Sequence, residues 1–306
     1  MSIHAAMSDA CRAAGIVPPR QTKPGQWVQC PVEGKGAGNT SGRVLMFDDG
    51  RGGICWNWAT GQQQRFTVEG LAGQHDVKAP PRDPEADRRR AQEQREVEAA
   101  CLRIVKACDQ TQHPYLARKG FADEIGLVIE DPRPLMPRGS LGEAMAAALP
   151  DGDGPLLVVP GRIGQRLTTV QFITAEGTKK NILRGQMGGA CHRIATGRET
   201  WICEGIATAM TVRAALRLLG RSVTVLSAFS ARNVAKVAEG IPGALIAADH
   251  DKPIPDFGGL GTGEFYARRT GQKWVMPKEQ GDFNDLHNRE GLRSVALHLR
   301  EFLYCS

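Results

Sequence analysis

The sequence predicts a chain that is α+β in its earlier parts and α/β in its last third. Three observations carry this. Residues 200–251 alternate as strand, helix, strand, helix, strand, the pattern of a parallel sheet. Residues 25–68 hold short β-rich runs split by glycine-rich turns, which reads as a small N-terminal β-rich unit. Between them, Gly154 to Arg198 carries seven basic residues against Glu176 alone, a net +6 that equals that of the whole chain. The expected divisions are an N-terminal unit over 1–75, a charged helical linker over 76–109, a basic mixed α+β subdomain over 110–198 and a parallel-sheet α/β domain over 199–306.

In chain order, residues 3–14 fit a short helix with Ala5, Ala6, Met7, Ala10 and Cys11 on a weakly apolar face, ended by Pro18-Pro19. Trp27–Cys30, Val44–Phe47 and Gly53–Trp58 are candidate strands. Trp27, Trp56 and Trp58 have two readings: they stack on unpaired bases, or, the favoured one, they form the core of this unit. Ala79-Pro-Pro-Arg-Asp-Pro84 is an extended linker. Glu85 to Lys106 alternates charge and reads as an exposed helix, with Arg88-Arg-Arg90 on a solvated face rather than on phosphate.

His113-Pro114 starts a helix with Tyr115 and Leu116 turned inward; His113 serves as its start, not as a general base. Arg118 and Lys119 stand near its end as candidate phosphate contacts. Leu141 to Leu149 fits a helix inside a Pro-, Gly- and Ala-rich insertion. Pro155–Val159, Leu167–Ile173 and Thr178–Leu183 read as β. Gly185–Gly189 is a glycine-rich turn without a Walker lysine, and no such loop occurs elsewhere, so no helicase motor is expected.

In the α/β part, helices are expected over Ile206–Leu219 and near Ala231–Glu239. Strands are expected over Val223–Leu226, Ala244–Ala248 and Gly271–Met276, and a last helix over about Leu292–Leu303. Open parallel sheets bind ligands outside the carboxyl ends of their strands. Glu204 follows the first strand, and Asp249 and Asp251 follow the third. Three converging carboxylates repel one another without a cation, and an oxygen-only ligand set suits Mg²⁺ or Mn²⁺.

Composition narrows the function classes. Hydrophobic residues make up 41% of the 306, enough for a packed core. The eight cysteines form no Cys-x-x-Cys pair, so no disulfide framework is legible, and free thiols of a cytoplasmic protein are expected. No secretory pattern begins the chain and no apolar run approaches ~18 residues, so no membrane partner is expected. A basic block beside an acidic edge suits a polyanion held against metal chemistry.

Four ordered segments then carry a resemblance: His113–Gly120, Glu204-Gly-Ile-Ala-Thr-Ala-Met210, Ala248-Asp-His-Asp251 and Gly281-Asp-Phe-Asn-Asp-Leu286. Glu-Gly and Asp-x-Asp at two strand ends look like the Toprim domain. The wording is similar to primases of conjugative plasmids, integrative elements and satellite phages, which are related to bacterial primases. The resemblance covers roughly residues 110–300. It implies a DNA primase that joins ribonucleotides on a single-stranded DNA template. Glu204 is then general base or metal ligand, and Asp249, Asp251 and Asp282 hold two divalent ions with Asp285 as an outer ligand. Arg118, Lys119, Arg162, Lys179, Lys180 and Arg184 bind nucleotide triphosphate or template, and a separate replicative helicase supplies unwinding. Two departures stand out. Thr208 occupies a position where some primases carry an Asp, and Gly161-Arg162 lacks a following Asp. The family's N-terminal zinc ribbon survives only as Cys30 and Cys55 with His75 as a third candidate, so structural zinc is not expected here. A Toprim nuclease and a non-catalytic single-stranded-DNA-binding factor remain the alternatives; topoisomerase is disfavoured because Tyr115, Tyr266 and Tyr304 lack the setting of a nucleophile.

Overall fold

The computed structural model describes residues 2–33, 39–68, 84–152 and 154–305. His75 and the Ala79–Asp83 part of the expected linker lie outside them. The chain forms two compact units, Met1–Arg82 and Asp83–Ser306.

In the first unit, helix α1 (Ile3–Ala13) is capped by the Ser2 hydroxyl. Strands β1 (Trp27–Cys30), β2 (Gly42–Met46), β3 (Gly52–Asn57) and β4 (Gln63–Thr67) follow as an antiparallel meander. Side chains alternate across a strand, so Cys30, Val44, Met46, Cys55 and Phe66 share one face. They form the core with Met7, Ala10 and Cys11 of α1. Cys30 and Cys55 are thus core side chains, and the Cys55 sulfur sits 3.2 Å from that of Cys11. The expectation that the tryptophans form the core fails. Trp27 is 48% and Trp58 52% exposed, with the Arg43 guanidinium 4.3 Å from the Trp58 ring centre. The helix covers only one face of the sheet, and Arg43, Trp56 and Trp27 alternate onto the other.

The second unit opens with α2 (Pro84–Ala107). Its last turns are not the solvated connector that the charge pattern predicts. Val97, Ala100, Cys101 and Ile104 recur at i, i+3, i+4 and i+7 and are fully buried. They pack on a sheet built from β5 (Asp109–Thr111), β6 (Gly126–Ile129), β7 (Leu156–Ile163), β8 (Arg166–Ile173) and β9 (Lys179–Asn181), all antiparallel and in that order. Helix α3 (Pro114–Arg118) lies between β5 and β6, with His113 as its N-cap: its Nδ1 accepts the Tyr115 N–H and its Nε2–H donates to the Pro155 carbonyl. Helix α4 (Ser140–Ala147) fills the insertion before β7.

The chain then enters a five-stranded mixed sheet. Strand β10 (His192–Ala195) is an antiparallel edge, foreseen by no sequence pattern. Strand β11 (Glu199–Cys203) leads to α5 (Ile206–Leu218), β12 (Val223–Ser227) to α6 (Ala231–Ala238), and β13 (Leu245–Ala247) to α7 (Thr262–Arg269), a helix that no sequence pattern announced. Strand β14 (Trp274–Val275), α8 (Phe283–Glu290) and α9 (Leu292–Cys305) complete the order. Four strands run parallel in the order β12-β11-β13-β14. The fold is therefore α+β and α/β. Trp201, Val212, Leu216, Val225, Phe283 and Leu299 form the core between this sheet, α5, α8 and α9. Among the described residues no helix is long and apolar enough to cross a membrane.

Candidate active site

Strand register sets the site. Cys203 pairs with both Ser227 and Ala247, so β11, β12 and β13 finish at one level. Glu204 follows directly on the central strand. Its main-chain carbonyl accepts the Phe229 N–H at 2.7 Å and the Ser227 hydroxyl at 3.2 Å. The Ala231 N–H at the start of α6 favours the ionised form of its carboxylate. Phe229 pays for this tight turn with φ of 70°, a left-handed conformation that is unfavourable for a side chain of its size.

Asp249 and Asp251 follow β13. The Gly263 N–H in the first turn of α7 donates to Asp251 Oδ2 at 2.8 Å. That close approach needs glycine: a Cβ on Gly263 would lie 2.3 Å from the Asp249 carbonyl oxygen, and one on Gly261 2.5 Å from that of Asp251. His250 points away. Its Nδ1–H donates to the Pro277 carbonyl, and its main chain exchanges two hydrogen bonds with Gly281. This bridge brings the next residue, Asp282, to the same edge. Asp282 Oδ1 caps α8 through the N–H groups of Asn284 and Asp285, and Asp285 Oδ2 accepts the Asp282 N–H in return.

The electrostatics identify which acids meet. Burial, then Asp251 and Asp282, push the Glu204 carboxyl up to about 7, opposed by the Lys179 ammonium. Burial, then Glu204, Asp282 and Asp251, hold Asp249 well above the usual carboxylate range, again opposed by Lys179. Glu204, Asp249, Asp251, Asp282 and Lys179 therefore lie within electrostatic reach of one another at this edge. Asp285 is engaged in the capping box of α8.

Of the basic candidates, the structure brings Lys179 to the acids; its Nζ would stand 3.6 Å from a Cβ at Gly205 and lies 6.0 Å from the Tyr115 ring centre. Arg118 lies against the turn at Gly177. Lys119 offers its carbonyl to Asn284 Nδ2 at 2.8 Å. Lys180 is the strand neighbour of Lys179 and projects to the other side of β9. Arg162 donates to the Gln165 carbonyl, and Arg184 is exposed with φ of 63°. None of these last three contacts the carboxylates among the described residues.

Among the described residues, five buried side-chain atoms lack hydrogen-bond partners, and three of them stand at or near this edge: Asp249 Oδ1, Thr208 Oγ1 and the Tyr115 hydroxyl. Thr208 is one turn beyond Glu204, close to the open side of Gly205. A buried carboxylate oxygen without a donor, among other carboxylates, suits a hard cation. Among the described residues no three His, Cys, Asp or Glu side chains converge in ligand geometry by themselves. Sequence reasoning missed Tyr115 as a site-facing group and Gly261-Thr-Gly263 as the support of Asp251. The latter spacing, ten residues beyond the Asp-x-Asp, was the available signal.

No protein-family profile matches the chain. Similarity to solved structures is found with the primase fragment of the bacteriophage T7 primase-helicase protein (14% identity, TM-score 0.35), where the match takes in 47% of this chain and spans 62% of that fragment. The RNA polymerase domain of Mycobacterium tuberculosis primase DnaG is similar at 15% identity and TM-score 0.34, over 72% of this chain and 77% of that one. The zinc-binding and RNA polymerase domains of the Aquifex aeolicus primase are similar at 12% identity and TM-score 0.39, over 100% of this chain and 86% of that one.

Proposed function

We propose that this chain is a DNA primase of the Toprim type that synthesises short RNA primers on single-stranded DNA for a mobile genetic element. The observation that carries the reading is the meeting of Glu204, Asp249, Asp251 and Asp282 with Lys179 at the carboxyl edge of the parallel sheet. Asp249, Asp251 and Asp282 would hold one or two divalent ions, Mg²⁺ or Mn²⁺, which when bound polarise phosphoryl oxygens and stabilise both the attacking and the leaving oxygen. Glu204, beside them, would accept the proton of the attacking 3′-hydroxyl or serve as a further metal ligand. The 3′-oxygen bonds to the α-phosphorus of the incoming nucleotide and pyrophosphate leaves. Lys179 places its ammonium beside the accumulating phosphate charge. Single-stranded DNA, nucleotide triphosphates and a separate helicase are the partners of this reading.

The test is primer synthesis on single-stranded DNA with labelled nucleotide triphosphates and Mg²⁺ or Mn²⁺, beside Asp249→Asn. Short labelled oligonucleotides are expected from the unaltered protein alone. Cutting of the DNA in an Asp249-dependent manner identifies a nuclease instead. Binding without either reaction identifies a non-catalytic DNA-binding factor.

A further inference from the structure

Beside the acid edge, a groove of about 630 Å³ runs between α6, the C-terminal end of α7 and the turn at Met187-Gly188. Arg232 in its wall directly follows Ala231, whose N–H favours the ionised Glu204 carboxylate. Arg232 and Lys236 stand four residues apart on α6, ~6 Å along the helix axis, so they share one face. Arg269 faces them from α7. Arg232 and Arg269 are exposed, and Lys236 is 2.5 Å from Glu239, which leaves the groove a net positive charge. Tyr266 gives one wall an aromatic surface, braced edge-on by Phe257 and Phe265. The opposite wall is low. A Cβ at Gly188 would meet nothing, so the missing side chain there leaves open space along the groove.

We propose that this groove is a second track that holds the phosphates of single-stranded nucleic acid as the strand passes the acid edge. The inference rests on the proposed function for its choice of polyanion, since a strand delivered to Glu204 and Lys179 must continue somewhere. Arg232 and Arg269 on two facing helices, one aromatic face and a side-chain-free wall match an extended chain of phosphates and bases.

The experiment measures binding of a fluorescent oligo-dT to the full chain over a range of NaCl concentrations. The variants are Arg232→Ala/Arg269→Ala and Gly188→Asp. The last adds a repelling charge at a place where the folded protein has room. Removing one cation that pairs with a single-strand phosphate lowers the slope of log K against log[salt] by about 0.7. The double variant is expected to lose about 1.4 in slope and on the order of tenfold or more in affinity at 0.1 M salt. Gly188→Asp is expected to weaken binding in the same direction, with a circular dichroism spectrum like that of the unaltered protein. Binding of labelled ATP is expected to stay unchanged in both. Unchanged slopes in a protein that binds oligo-dT overturn the groove alone, and primer synthesis still reports on the function separately. Loss of ATP binding instead assigns the groove to nucleotide and overturns the track. Loss of poly-glutamate binding with oligo-dT unaffected assigns it to an acidic protein partner and also overturns it. A protein that binds no oligo-dT and makes no primers removes both readings.

Discussion

Thr208 occupies the turn after Glu204 with a fully buried hydroxyl that has no hydrogen-bond partner. An unsatisfied buried hydroxyl costs about 1–3 kcal/mol, so Thr208→Val, nearly the same shape, is expected to leave the melting temperature unchanged or raise it. If the hydroxyl serves a phosphate or an ion-bound water, the same variant lowers primer synthesis at least tenfold; a core threonine would show no such split. Glu204 gives a second prediction. Its folded value of about 7 lies above its ordinary 4.5, so the folded state binds its proton more tightly than the unfolded state does. Its stabilising contribution is full below about pH 4.5 and is lost as pH rises through 7. In chelator, melting curves of Glu204→Gln are expected to gain on those of the unaltered protein as pH rises from 5 to 8. A constant difference would place Glu204 in a wetter setting. At this scale the positions of Glu204 and Asp249 at strand ends were legible, because each follows an apolar run and strand ends are where such runs stop; Asp282 follows no such run and was named only by the resemblance. Lys179 and Lys180 were not distinguishable, because which of two neighbours faces the acids depends on the pairing of β9 with β8, fixed by residues far from either lysine.

A whole element can be misread when its two halves differ. Helix α2 is dense in charge at its start, and that half dominated its reading as a solvated connector. Its last turns carry the apolar spacing of a packed face, and Ile104 is fully buried against the β5–β9 sheet. Ile104→Ala is expected to lower unfolding stability by about 2–5 kcal/mol, the range for a large-to-small change in a core. A urea titration that shows no change would return α2 to the status of a linker. The opposite error befell the N-terminal sheet. Three tryptophans in a small β unit suggest a core, yet α1 packs Met7, Ala10 and Cys11 onto one face of the sheet only. Alternation then decides for each residue, and Trp27 and Trp58 fall on the side without a covering layer. A sequence shows the alternation of each strand but not which of its two faces the helix chooses.

The whole second unit must hold two sheets in fixed relation for its site to exist, because Lys179 comes from one sheet and Glu204 from the other. Two sets of buried polar links join them. Asn284, with no exposure, donates to the Lys119 carbonyl at 2.8 Å and lies 3.1 Å from the Thr211 hydroxyl, tying α3 to α8 and α5. Arg213 of α5 donates to both Glu124 carboxylate oxygens, at 3.0 and 2.6 Å. The Arg213 side chain is 10% and that of Glu124 29% exposed, so removing the arginine alone leaves a partly buried carboxylate without a counter-charge. Arg213→Met is therefore expected to cost about 2–3 kcal/mol, below the roughly 3–5 of a fully buried pair because water still reaches Glu124. Arg213→Met/Glu124→Leu is expected to recover much of that loss. Activity separates positioning from mere stability. Neither Arg213 nor Asn284 belongs to the acid constellation, yet Asn284→Ala, which loosens the two sheets, is expected to reduce primer synthesis under conditions where the protein remains folded. It should do so through the turnover rate more than through the nucleotide KM, because Lys179 then spends less time beside Glu204. An Asn284→Ala protein with full turnover would mean that the two sheets hold their relation through apolar packing alone.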